Sequence, residues 1–383
     1  MRSSGKGDTG YLRKALRLAA RGRYRVSPNP MVGAVVVKDG EVVGEGWHRA
    51  FGEAHAETRA LAKAGERARG ATLFLNLEPC AHHGNTPPCV EAVIAAGLAR
   101  VVACHRDPDP RTGGAGFDRL RAAGIEVAVG ALAAEAVELN LAFVVSNVLG
   151  RPAVTLKWAM SLDGRIATPS GESQWISSRR GRRWGLLQRE EHDAILVGSG
   201  TVLADDPRLD RRMGRAGRPN LRVVMDRRLR VPPEAKLFRV PVQEGGRVLV
   251  YTAAERDGGA DAAAARALER AGAQVVRLPR VEPAAVLADL HRHGVRSVLV
   301  EGGAGVAAAF VEAGAFDRVA VSCSPVLIGG EEAPGPVGGA GASTLQGAPR
   351  LDRLRSRRRG PDVILTGLRD GCLPDLLRSV GAS

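Results

Sequence analysis

His55, Cys80 and Cys89 bring one imidazole and two thiolates into a short stretch of a 383-residue chain. Three such ligands with a fourth position left open are the donor set of a catalytic zinc ion, which lowers the pKa of a bound water toward about 7. Glu57 follows two residues after His55, where a carboxylate that does not bind the metal can move protons. The first thiolate arrives in Glu78-Pro79-Cys80, and the second ends the run Ala81-His82-His83-Gly84-Asn85-Thr86-Pro87-Pro88-Cys89. His82, His83 and His48 are competing ligand candidates, read either as substrate contacts or supports of the metal ligands, or as plain surface residues. The five cysteines are odd in number and scattered, so no disulfide framework is expected, and Cys80 with Cys89 is the only close pair.

A second constellation, Glu301-Gly302-Gly303-Ala304-Gly305, follows a predicted strand over 297–300 and opens a helix from Val306. Glycines there let backbone amides approach a pyrophosphate at a helix N-terminus; a tight turn is the other interpretation. No Gly-x-Gly-x-x-Gly fingerprint is present, so an ordinary dinucleotide-binding Rossmann domain is not indicated. A strand over 221–225 ends in Asp226-Arg227-Arg228. An acidic residue there suits a free ribose 2′-hydroxyl and an arginine suits a 2′-phosphate, so the pattern alone is ambiguous.

These residues need elements to hold them. Leu12, Leu16 and Ala19 recur at helical spacing, with Arg13, Arg17 and Arg21 on another side, predicting an opening helix that ends near Gly22. Two β-branched runs, 32–37 and 42–47, joined by Lys38-Asp39-Gly40-Glu41, predict a hairpin. Helix 55–64 then carries His55 and Glu57, strand 72–77 leads to Cys80, and helix 89–96 opens on Cys89. Strand 100–104, helix 117–123, strand 125–129 and helix 133–148 complete a layered α/β domain. Gly150-Arg151-Pro152 punctuates the chain, which divides into domains at 6–148 and 151–370. The second half alternates strands at 153–156, 194–197, 221–225, 248–251, 274–278, 297–300 and 319–322 with helices at 180–191, 262–271, 283–293 and 306–313. That pattern is a mostly parallel, doubly wound sheet, and the Gly/Pro-rich stretch 329–341 reads as a surface loop.

With 44% hydrophobic and 25% charged residues the composition is globular. No run of 18 residues is free of charge and residues 1–10 lack the apolar run of a signal peptide, so no membrane partner and a cytoplasmic setting are expected. A net charge of +14 raises nucleic acid as a partner, yet only six of the 55 basic residues are lysine and 4% of residues are aromatic. The arginine excess is therefore read as compositional bias, with no nucleic-acid partner; a small phosphorylated substrate accounts for part of it.

His-x-Glu followed by Pro-Cys is the zinc deaminase signature, whose usual ending is Cys-x-x-Cys. Here the second cysteine comes nine positions after the first, and this spacing, with its histidines and double proline, resembles the deaminase of riboflavin biosynthesis. Lys157-Trp158-Ala159-Met160-Ser161-Leu162-Asp163-Gly164, Gly171-Glu172-Ser173-Gln174-Trp175 and Gly200-Thr201-Val202-Leu203-Ala204-Asp205-Asp206-Pro207 resemble the reductase half of the same bifunctional family. The resemblance spans about residues 11–367. It implies an N-terminal cytidine-deaminase-like three-layer domain and a C-terminal dihydrofolate-reductase-like domain, one zinc per chain, NADPH, and a homo-oligomer. The implied reactions are deamination of 2,5-diamino-6-ribosylamino-4(3H)-pyrimidinone 5′-phosphate, then reduction of its ribosyl chain to ribityl. Position by position, Ser173, Arg189, Leu209, Arg212 and Glu301 are implied substrate contacts. Ala159, Trp175, Thr201, Asp205, Arg227, Gly303, Ala304 and Gly305 are the implied NADP contacts. Asn29, in Pro28-Asn29-Pro30, looks like a pocket loop of this family where an amide reads the pyrimidine edge; a turn residue is the alternative. The chain departs from the family at Asn85, where a basic residue is frequent, and at Asp109, where an asparagine is frequent; after Gly367 it matches nothing. Two rivals remain at this level. A structural or nucleic-acid-binding module would have no need of Glu57, and a single-function base deaminase would have no need of the intact glycine-rich and Asp205-Asp206-Pro207 elements.

Overall fold

The computed structural model describes residues 7–84, 87–217, 219–253 and 260–382. The chain forms two compact units, Met1–Gly150 together with Leu373–Ser383, and Arg151–Cys372.

In the first unit, β1 (Gly33–Lys38), β2 (Glu41–Trp47), β3 (Thr72–Leu75), β4 (Arg100–Ala103) and β5 (Glu126–Val129) form one sheet in the order β2-β1-β3-β4-β5. The first three pair antiparallel and the last three parallel. Asp39 and Gly40, both at positive φ, turn the expected hairpin. Alternation sends Val35, Phe74 and Val102 to one face, against Leu12, Ala15 and Leu18 of the helix Asp8–Ala19. Val36, Leu73 and Val101 meet the helices Ala56–Ala64, Cys89–Ala95 and Ala115–Ala122 on the other. The result is the three-layer arrangement.

Two glycines decide how closely a layer can sit. A Cβ on Gly44 would lie 2.2 Å from the Ala60 carbonyl oxygen, and one on Gly46 would lie 2.5 Å from that of Ala56. The helix carrying Glu57 therefore rests directly on the β2 backbone. The single helix expected over 133–148 is instead two, Ala133–Leu139 and Leu141–Leu149. Asn140 at the break gives its side chain to Met31, accepting from its N–H at 2.8 Å and donating to its carbonyl at 2.9 Å.

In the second unit, β6 (Ala153–Met160), β7 (Ala194–Gly198), β8 (Leu221–Met225), β9 (Val248–Ala253), β10 (Ala273–Leu278), β11 (Ser297–Val300) and β12 (Arg318–Cys323) are mutually parallel. Two strands absent from the expected set, β13 (Leu351–Arg359) and β14 (Asp362–Arg369), extend the sheet antiparallel, giving the order β10-β9-β8-β7-β11-β6-β12-β14-β13. Cores lie on both faces, one built around Leu196, Leu249 and Val300 with Leu287 and Phe310, the other around Ile195, Val224 and Val250 with Leu237 and Leu268. Residues 329–341 lie in neither helix nor strand.

Candidate active sites

His55 is the N-cap of the helix Ala56–Ala64, and Cys89 opens the helix Cys89–Ala95. Cys80 follows β3 on a loop anchored by the buried Glu78, whose carboxylate accepts from the amides of Asp107 and Gly114 at 3.0 Å and of Phe117 at 3.1 Å. The donor atoms of His55, Cys80 and Cys89 all lie within 4.8 Å of one another, with His55 Nδ1 3.1 Å from Cys89 Sγ and 3.6 Å from Cys80 Sγ. A hydrogen bond from the Cys89 thiol, helped by His55, holds Cys80 down at about 4, and the same pairing pushes Cys89 up. The pair therefore has one proton left to lose to a cation. Glu57 is buried, and burial, with the Cys80 sulfur near it, pushes its carboxyl up to about 6. Its Oε2 has no hydrogen-bond partner, an uncompensated buried acceptor that a polar ligand at the triad would satisfy. One nitrogen, two sulfurs and this orphaned oxygen fit a zinc ion and the water beside it.

Asn29 belongs to the same neighbourhood. Its Nδ2 donates to His48 Nε2 at 3.2 Å, and the His48 ring packs edge-on against His55 with centroids 5.2 Å apart. Desolvation, reinforced by His55, pulls His48 below its ordinary range, so it stays neutral and can accept that bond. Asn76 and Asn140 fix the loop through Met31 and Gly33. The other histidine candidates stand apart: His82 bonds the Thr112 hydroxyl at 3.0 Å, and His83 is exposed beside Glu91. Asn85 lies outside the described residues. Asp109 is ion-paired with Arg111 at 2.5 Å, which holds it below the carboxylate range despite its partial burial.

Two cavities of the second unit gather the expected contacts. One, of about 620 Å³, opens at the carboxyl ends of β7, β8 and β11 and is lined by Thr201, Arg227, Gly303, Ala304 and Gly305 from the expected cofactor set. Thr201 accepts from the Gly303 amide at 2.9 Å, and the N-terminus of the helix Ala304–Glu312 has no side-chain cap. Asp226 is fully buried and accepts from the Val231 amide at 2.8 Å, whereas Arg227 and Arg228 are exposed at the rim. One carboxylate oxygen is thus taken within its own turn, the other is buried without a hydrogen-bond partner, and the cations face outward. Open helix amides and rim arginines fit a dinucleotide carrying a 2′-phosphate.

The other cavity, of about 600 Å³, is lined by Ser173, Arg189, Arg212 and Glu301, together with Ala159, Trp175 and Asp205. The expected cofactor set is therefore divided, with these last three beside the expected substrate contacts. Glu301 pairs with Arg189 at 2.6 Å and faces Lys157 at 3.9 Å; against its burial, these cations hold it down to about 2. Ser173 donates to Asp205 at 3.1 Å, and Arg182 stacks over the exposed Trp175 ring. Leu209, the remaining expected substrate contact, has its side chain buried in the core and its carbonyl accepting from Asn220. Any contact to a ligand there falls to the main chain. Sequence reasoning missed Glu78, Asn76 and Lys157; an acidic residue immediately before Pro-Cys was the one local signal for the first.

The fold and the two sites define a two-part enzyme, a zinc-type deaminase domain followed by a reductase domain. Residues 6–105 match the cytidine and deoxycytidylate deaminase zinc-binding region, and residues 152–365 match the RibD C-terminal domain. The chain is 42% identical to riboflavin biosynthesis protein RibD of Bacillus amyloliquefaciens, covering 94% of this chain and 96% of that protein. It is 41% identical to the Escherichia coli K12 protein of the same name, covering 94% and 98%. Among solved structures it is similar to Acinetobacter baumannii RibD, with a TM-score of 0.83, 35% identity and 95% and 99% coverage. It is likewise similar to the diaminohydroxyphosphoribosylaminopyrimidine deaminase/5-amino-6-(5-phosphoribosylamino)uracil reductase of Thermotoga maritima, with a TM-score of 0.79, 34% identity and the same coverage. The chain belongs to the RibD family of riboflavin biosynthesis proteins.

Proposed function

We propose that the first unit deaminates 2,5-diamino-6-ribosylamino-4(3H)-pyrimidinone 5′-phosphate and that the second reduces the ribosyl chain of the product to ribityl. The observation that carries the first step is the unpartnered, buried Glu57 oxygen beside the His55, Cys80 and Cys89 donors. Those three residues would hold zinc, which when bound supplies Lewis acidity toward a water. Glu57, raised toward neutrality, takes a proton from the water and returns it to the departing amine. Asn29 has its amide nitrogen engaged by His48, so its Oδ1 remains to accept from a ring N–H or amino group.

For the second step, Thr201, Arg227 and the amides of Ala304 and Gly305, with Gly303 allowing close approach, would hold the phosphates of NADPH, which supplies a hydride when bound. Ala159, Trp175 and Asp205 would meet its nicotinamide end, next to Ser173, Arg189, Arg212 and Glu301, which would contact the ribosyl substrate. The five cysteines are free thiols, which agrees with a reducing cytoplasm. No helix among the described residues is long and apolar enough to cross a membrane. We assign a homo-oligomer, to be read by light scattering. The decisive experiment incubates the pure protein with the diaminopyrimidine, with and without NADPH, and weighs the products. A deaminated product in both arms and a ribityl product only with NADPH is expected; an unreacted substrate, or reduction without deamination, would overturn the assignment.

A further inference from the structure

Asp210 is buried beside the substrate cavity and divides its two carboxylate oxygens between two arginines. Its Oδ2 accepts from Nε of Arg208 at 2.9 Å, while Oδ1 accepts from Nε of Arg212 at 2.9 Å and from a terminal nitrogen of Arg212 at 2.7 Å. Both arginines line the cavity, and both side chains are about half exposed. With the Nε groups engaged from below, both terminal nitrogens of Arg208 and one of Arg212 keep N–H donors for a ligand.

The loop that carries them is fixed from behind. Glu190, buried on the helix Arg179–Glu191, accepts from the amides of Met213, Arg215 and Ala216 at 2.9 Å. Arg211 donates to the Arg189 carbonyl at 2.9 Å. Of the other cations on the same wall, Arg189 pairs with Glu301 and Lys236 with Asp206, while Arg182 lies over the Trp175 ring. Two forked guanidiniums on one carboxylate leave a net positive pair. A tetrahedral phosphate has enough oxygens to take the fork of Arg208 and the remaining terminal nitrogen of Arg212 at once, whereas a carboxylate fills one fork.

We propose that Arg208 joins Arg212, already placed among the substrate contacts, to complete a clamp on the phosphate of the ribosyl substrate, with Asp210 as the positioning residue that holds the two side chains in register. This rests on the assignment of this cavity to the substrate. The alternative source of a phosphate is the cofactor, and the test separates the two.

Steady-state reduction is measured with the deaminated ribosylaminopyrimidine, with and without its 5′-phosphate, at saturating NADPH, in the wild type and in Arg208→Gln and Arg208→Lys. In Arg208→Gln the preference for the phosphorylated compound, as a ratio of kcat/KM values, falls about tenfold or more, through KM rather than kcat. Arg208→Lys restores part of it, because the charge returns without the fork. The KM for NADPH does not move. Asp210→Asn lowers the same ratio. An unchanged ratio in Arg208→Gln, or a rise confined to the KM for NADPH, overturns the clamp. A wild type that reduces both compounds equally well overturns instead the assignment of the cavity to a phosphorylated substrate.

Discussion

At the scale of single residues, chemistry was legible wherever its partners lie close in sequence. His55 and Glu57 share one helix start, and Cys80 and Cys89 are nine positions apart, so the donor set could be written down before any fold was known. Glu57→Gln keeps the shape and removes the base, so ammonia release is expected to drop by about 10²–10⁴-fold while bound zinc stays constant. Reduction of the already deaminated compound should continue at the wild-type rate, and comparable loss of both activities in a folded variant would remove the two-site reading. Asp226 and Arg227 show the opposite case. Their sequence supports either ribose chemistry, and exposure separates them, because Asp226 is fully buried with one oxygen taken by the Val231 amide while Arg227 stays exposed at the rim. Arg227→Ala should therefore lower the preference for NADPH over NADH by about tenfold, the value of one charge-assisted contact. Efficiencies with both cofactors give the answer, and a variant that keeps the full ratio takes Arg227 out of the site.

Elements place these residues through close approach more than through contact area, which is why periodicity did not reveal it. A glycine in a strand ordinarily weakens it, yet Gly44 and Gly46 in β2 let the helix Ala56–Ala64 sit where a Cβ would collide with its carbonyls. Gly46→Val should push that helix outward, costing about 1–3 kcal/mol of stability and displacing His55 and Glu57 together. Zinc content and thermal unfolding measure the two effects, and a stable variant with full zinc would show that the helix has room to spare. The break at Asn140 was invisible for a related reason: residues on both sides keep the apolar spacing of one helix, and only the distant Met31 backbone explains the interruption. The strand β13 was missed because Leu351-Asp352-Arg353-Leu354-Arg355-Ser356-Arg357-Arg358-Arg359 lacks apolar alternation. It lies at the sheet's edge, where charge guards the unpaired backbone against further strand addition.

For the molecule as a whole, chain order and unit membership disagree at the C-terminus. Residues after Gly367 carried no recognisable pattern in the sequence, and the final segment Leu373–Ser383 belongs to the first unit although it follows the last strand of the second. No local signal could have announced this, because membership is decided by what the segment buries. Leu373, Leu376 and Val380 are almost fully buried, and the Val380 carbonyl accepts from the Arg106 amide at 3.3 Å. Arg106 stands beside Asp107, which donates its amide to Glu78, so the segment backs the same loop that holds Cys80. Burying one such aliphatic side chain is worth about 1.5–3 kcal/mol, and three of them approach the whole stability of a small domain. A chain ending at Cys372 should then lose deaminase activity and zinc on mild heating, while reduction of the deaminated substrate survives to the wild-type temperature. Calorimetry on the full and shortened chains should show the transition of the first unit lowered and that of the second unmoved. If the reductase fails first or both transitions fall together, the last residues belong energetically to the domain that precedes them in sequence.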